Sequence, residues 1–122
     1  MEIEVFDEPR TFLVGLQSIG LKHVANISLQ PDEMVTFISN GSREYDFTAK
    51  EWGYYATPSL SKRLKRFGMR AGLTRNIDTN HIFVVVVHDD KMSEWQKYME
   101  DERQSLILWL DEIFHTNPLK GQ

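Results

Sequence analysis

Pro9-Arg10-Thr11-Phe12-Leu13-Val14-Gly15-Leu16-Gln17-Ser18-Ile19 is the stretch that decides whether the N-terminal part of this chain is helical or extended. Proline is favoured at the first position of a helix, where its missing amide has no partner to lose. Asp7 stands ahead of it as a cap. Phe12, Leu13, Leu16 and Ile19 follow at helical spacing, and Gly20 is placed as a terminator. The spacing predicts a helix over residues 9–19. Gly15 weakens that helix, and residues 11–16 would also suit a strand.

On the N-terminal side, Ile3 and Val5 alternate with glutamates and predict a short strand over residues 3–6. On the C-terminal side, His23, Ala25, Ile27 and Leu29 alternate with polar or smaller partners, again as a strand. Pro31-Asp32 marks a turn. Residues 34–39 and 43–48 predict a hairpin across Asn40-Gly41, a pair that tolerates the positive φ of tight turns. Residues 51–55 are aromatic and glycine-broken, a loop or an edge strand.

Thr57-Pro58 is a helix-start signature. Leu60, Leu64 and Phe67 are spaced i, i+4, i+7 on one face, and Gly68 closes the segment. A helix over residues 58–67 then carries Lys62, Arg63, Lys65 and Arg66 on its opposite face. Residues 69–76 read as the next strand, and Asp78-Thr79-Asn80 as a turn. Residues 81–88, with Val84-Val85-Val86-Val87, read as a central strand covered on both faces. Ser93 followed by Gln96 has the form of a capping box. It predicts a helix over residues 93–103 that buries Trp95, Tyr98 and Met99. Residues 106–110 are read as a strand rather than as part of one long helix, because Ile107 and Leu108 fall off the helical stripe.

The resulting order is roughly βαβββαββαβ. It predicts an α+β two-layer sandwich, with a mainly antiparallel mixed sheet of five to seven strands and two or three helices. One domain is expected over residues 1–115, with a frayed tail at 116–122.

The chain has 122 residues, of which 41% are apolar and 26% charged, and no cysteine. That excludes a disulfide scaffold, a thiolate nucleophile and a cysteine-based metal site. No apolar run reaches the roughly 20 residues that span a bilayer. The acidic start lacks the pattern of a secretory leader. A cytoplasmic protein without membrane partners is expected.

Charge is unevenly placed. The chain carries 14 Lys and Arg against 18 Asp and Glu. Residues 52–77 contain no acid and six bases: Lys62, Arg63, Lys65, Arg66, Arg70 and Arg75. Lys and Arg neutralise phosphates, and flat aromatics stack on unpaired bases. Trp52, Tyr54 and Tyr55 precede the basic segment, and Ser59 adds a hydroxyl near the expected helix start. Together these residues predict a non-enzymatic domain that binds a polyanion, either single-stranded RNA or DNA or a phosphate-bearing ligand. A glycine-rich phosphate loop is absent. The alternative is a protein-interaction module or homodimer in which segment 52–77 meets an acidic surface. Residues 89–112 offer one, with eight acids and three bases. The third reading is an enzyme that uses His88 with Asp89 or Asp90 as general base or cation ligand. No metal-ligand spacing and no cofactor motif is present.

Overall fold

Residues 9–19 form no helix. In the computed structural model, which describes residues 1–39, 41 and 43–113, they run from one strand through a turn to the next. Strand β1 spans Glu2–Val14 and strand β2 spans Ile19–Ser28. The two pair antiparallel from Glu2↔Ser28 to Val14↔Ile19. Gly15 has φ 77° and Ser18 φ 50°, so Gly15 is a turn residue rather than a helix interior. The Ser18 amide closes the turn onto the Gly15 carbonyl at 3.2 Å. Pro9 lies where the ladder slips, between Val5 and Arg10. A bulge accommodates a residue with no amide to give. The helical signature of Pro9 and the 3/4 spacing of Phe12, Leu16 and Ile19 were therefore by-products of a bulge and a turn.

The remaining strands are β3 (Met34–Ser39), β4 (Arg43–Lys50), β5 (Gly53–Ala56), β6 (Met69–Asn76), β7 (Ile82–His88) and β8 (Gln104–Trp109). Among the described residues the two α-helices are α1 (Arg63–Arg66) and α2 (Met92–Asp101). Strands take up 56% of the structure, in three small antiparallel sheets. The expected two-layer sandwich with two or three helices is thereby overturned, since among the described residues α1 is a single turn and α2 is the one helix of any length.

The chain forms two compact units, Met1–Thr57 and Pro58–Gln122. In the first, β1 and β2 make a two-stranded ribbon, and β3-β4-β5 make a sheet with β4 central. The predicted hairpin of β3 and β4 is found, from Met34↔Thr48 to Ser39↔Arg43. Asn40 of its turn lies outside the described residues, and Gly41 has φ 87°. Residues 51–55 resolve as a turn leading into edge strand β5. Asp46 is buried on β4 and accepts a 2.6 Å hydrogen bond from the Thr36 hydroxyl. The Pro31-Asp32 turn is held by the Asp32 amide on the Ala49 carbonyl, at 2.8 Å, and by an ion pair from Lys50 to Asp32.

In the second unit the sheet order is β7-β6-β8. Strand β6 is central, matches the predicted residues 69–76, and buries Met69, Ala71 and Thr74. The valine-rich strand β7 is an edge, not the centre, with Ile82, Phe83 and Val84 exposed. Its apolar run suggested burial on both faces, but sheet order is set by which strand finds two partners. The turn at 78–80 is an Asx turn, in which Asn76 Oδ1 accepts from the Asp78 and Thr79 amides at 3.0 and 2.9 Å. The segment at 106–110 is a strand as predicted, begun at Gln104 and ended at Trp109.

Helix α2 contacts β7 and β8. Its Trp95 tilts against Trp109 with ring centroids 5.1 Å apart. Lys91 is its N-cap with no side-chain cap bond, so the Ser93–Gln96 capping box does not form. Met99 is buried, Trp95 half-buried and Tyr98 exposed. The tail at 116–122 lies outside the described residues.

Candidate interaction surfaces

The predicted basic helix over residues 58–67 shrinks to the four residues of α1. Leu64 is its one buried residue, 1% exposed beside β6. The turns before it are tied by Ser59, whose carbonyl accepts from the Leu64 amide at 3.0 Å and whose Oγ accepts from the Arg63 amide at 3.3 Å. Ser59 thus has a structural task. Gly68, at φ 71°, ends the segment as expected. Lys62, Lys65 and Arg66 are exposed and Arg63 is half-buried. Ser61, Lys62, Lys65 and Arg66 line one shallow, open depression.

Arg70 does not extend that patch as a free cation. Its Nη2 donates to Asp111 Oδ1 at 3.0 Å and to Glu112 Oε1 at 3.2 Å, and its Nε donates to Asp111 Oδ2 at 3.2 Å. The guanidinium also lies 4.2 Å from the centroid of the Trp109 ring. The fork on Asp111 holds the Arg70 proton even more firmly than usual, with Glu112 adding to it. The bases of segment 52–77 and the acids near the C-terminus therefore meet at this point within one unit. Arg75 is exposed on β6, at the end paired with Ile82 and Ser105.

Trp52, Tyr54 and Tyr55 are exposed, Trp52 at 72%. Trp52 and Tyr55 stack on each other at 6.2 Å, with an interplanar angle of 22°. They belong to Met1–Thr57, whereas all six bases belong to Pro58–Gln122. His88 ends β7 opposite Met69 and is half-buried, while Asp89 and Asp90 stand exposed in the 3-10 turn Asp89–Lys91. Among the described residues, no group of three or more His, Asp or Glu converges as a metal site. No helix among them is long and apolar enough to cross a membrane.

The surface that sequence reading missed lies on the β1–β2 ribbon. Register places Ile3 opposite Ile27, Val5 opposite Ala25, Phe12 opposite Leu21, and Val14 opposite Ile19. Side chains alternate faces along a strand, so these eight share one face with Arg10 and His23. The other face carries Glu2, Glu4, Thr11, Lys22, Asn26 and Ser28, together with Leu13 and Val24. The apolar face is open: Ile3, Val5, Phe12, Ile19, Leu21 and Ile27 are between 37% and 70% exposed. At its middle, Phe6, Glu8, Arg10 and His23 line a depression. There Phe6 meets the His23 ring edge-on at 4.9 Å. Ile19, Leu21, His23, Ala25 and Ile27 alternate in the sequence and signalled this face, but assigning residues 9–19 to a helix removed its other half.

No family model matches the chain, and no curated protein and no solved structure matches it.

Proposed function

We propose that this protein is an interaction module whose apolar ribbon face, formed by β1 and β2, is covered by another polypeptide. The face itself carries the reading. A two-stranded ribbon standing alone is marginal in water. Here six large apolar side chains of two long strands, Ile3, Val5, Phe12, Ile19, Leu21 and Ile27, stand exposed on one face, beyond the scattered apolar side chains that ordinary surfaces carry. Burying such a face stabilises by roughly 25 cal/mol per Å² removed from water. Strands of 13 and 10 residues with period-2 patterning gain nothing from that alternation unless the apolar side is covered.

The test combines an apolar dye with a measurement of mass. Purified protein is examined by sedimentation and by anilinonaphthalene sulfonate fluorescence, as wild type and as the Phe12→Ser/Leu21→Ser variant. An interaction surface appears as association, or as dye fluorescence from a monomer, and the variant abolishes either one while far-ultraviolet circular dichroism is kept. A wild-type monomer that leaves the dye dark has this face covered within its own chain and defeats the reading.

A second reading, polyanion binding, is favoured by the Ser61, Lys62, Lys65 and Arg66 depression, whose lining contains no carboxylate. It now rests on fewer groups than the sequence offered. Arg70 is taken by Asp111 and Glu112, and Ser59 by the backbone.

A further inference from the structure

We infer that the polypeptide covering the ribbon is a second copy of this chain, laid face to face and antiparallel about a two-fold axis through the ribbon's middle. This inference rests on the interaction reading above and names its partner. The order of chemistry along the face carries it. One end is apolar (Ile3, Val5, Ile27), the centre is a depression holding Glu8 and Arg10, and the turn end is apolar again (Phe12, Leu21). A surface that reads the same from both ends is self-complementary under a two-fold rotation, which is the condition for an isologous interface.

The central charges add direction. Glu8 and Arg10 share the depression with Phe6 and His23. Neither makes an ion pair among the described residues; Arg10 sits 5.6 Å from the Phe12 ring centroid instead. Rotation about the central axis brings Glu8 of one copy toward Arg10 of the other, and Arg10 toward Glu8, so both charges are answered by one operation. The same rotation sets the Ile3 end of one ribbon over the Phe12 end of the other. About ten residues at ~3.4 Å each make a seam about 34 Å long and two strands wide. Such a seam is at the small end of specific interfaces, so dissociation in the micromolar range is expected.

The experiment is sedimentation of the full chain at micromolar concentration, with charge variants. Wild type sediments as a dimer. Glu8→Arg and Arg10→Glu each set like charges across the axis twice, and each weakens dimerisation at least tenfold. An equimolar mixture of the two variants restores a dimer, because each meets the opposite sign in the other, and Glu8→Arg/Arg10→Glu in one chain restores it too. Far-ultraviolet circular dichroism shows that every variant is folded, and the rescued mixture serves where a single variant aggregates. A wild-type monomer that brightens the dye overturns the second-copy inference and leaves the interaction reading standing. A dimer indifferent to both charge reversals overturns the antiparallel ribbon arrangement alone. A dye-dark monomer overturns both.

Discussion

At the scale of single residues, Arg70 shows how a side chain changes meaning between sequence and structure. In the sequence it is one of six bases in an acid-free run, and reads as a phosphate contact. In the fold it forms a fork on Asp111, reaches Glu112 and lies over Trp109. These partners stand 39 to 42 positions away, which no local pattern reveals. With side-chain exposures of 28% for Arg70 and 22% for Asp111, the pair is partly shielded, and part of its worth is lost to solvent screening. Arg70→Ala is expected to lower unfolding free energy by about 2 kcal/mol, combining lost charged hydrogen bonds with the lost ring contact. Arg70→Lys should recover less than half of that, since an ammonium neither forks nor stacks as a guanidinium does. Urea denaturation of the three proteins checks both values. A full recovery by lysine would mean that charge alone matters there.

Among the elements, β6 and β8 depend on close approach. A Cβ added at Gly72 would lie 2.9 Å from Trp109 Cε3 and 3.2 Å from the Leu108 carbonyl oxygen. Trp109 is buried and already in contact with the Arg70 guanidinium and the Trp95 ring. Gly72→Ala is therefore expected to destabilise by about 1–3 kcal/mol, the range for overpacking a filled site. The intrinsic Trp109 emission should shift in the same variant. A neutral Gly72→Ala in thermal unfolding would show that the indole moves freely. The sequence did specify β6, through Gly68 before it and the turn at 78–80 after it, and β8, whose consecutive apolar residues Leu106 to Trp109 fit a buried strand better than a helical stripe. It misplaced β7 and the 9–19 segment. A valine run signals strand but not position in a sheet, and proline signals a break in an amide ladder without saying whether the ladder is helical or extended.

For the whole chain, net charge is −4 at neutral pH, and the exposed cations lining the depression by α1 are Lys62, Lys65 and Arg66. If a single-stranded oligonucleotide binds there, three phosphate contacts give a slope of about −2 in log affinity against log salt, at roughly −0.7 per contact. Fluorescence anisotropy over a salt series measures that slope. A steeper value, near −4, would require Arg63, Arg70 and Arg75 as well, and with Arg70 the breaking of its pair with Asp111. The absence of binding at low salt would leave the ribbon as the surface to pursue.

The sequence by itself determined what is local: the alternation that makes β2, the apolar run that makes β8, the turn at Asp78 to Asn80, the glycine that ends α1, and the uneven distribution of charge. Those features depend on neighbours a few positions apart, whose geometry is set by backbone sterics and short hydrogen bonds. Tertiary structure decided which strand is central, which base is already paired, and that Phe12 and Leu21 share an open face with Ile3 and Ile27. Each of those facts is a relation between residues distant in the chain, and register and burial alone bring them together.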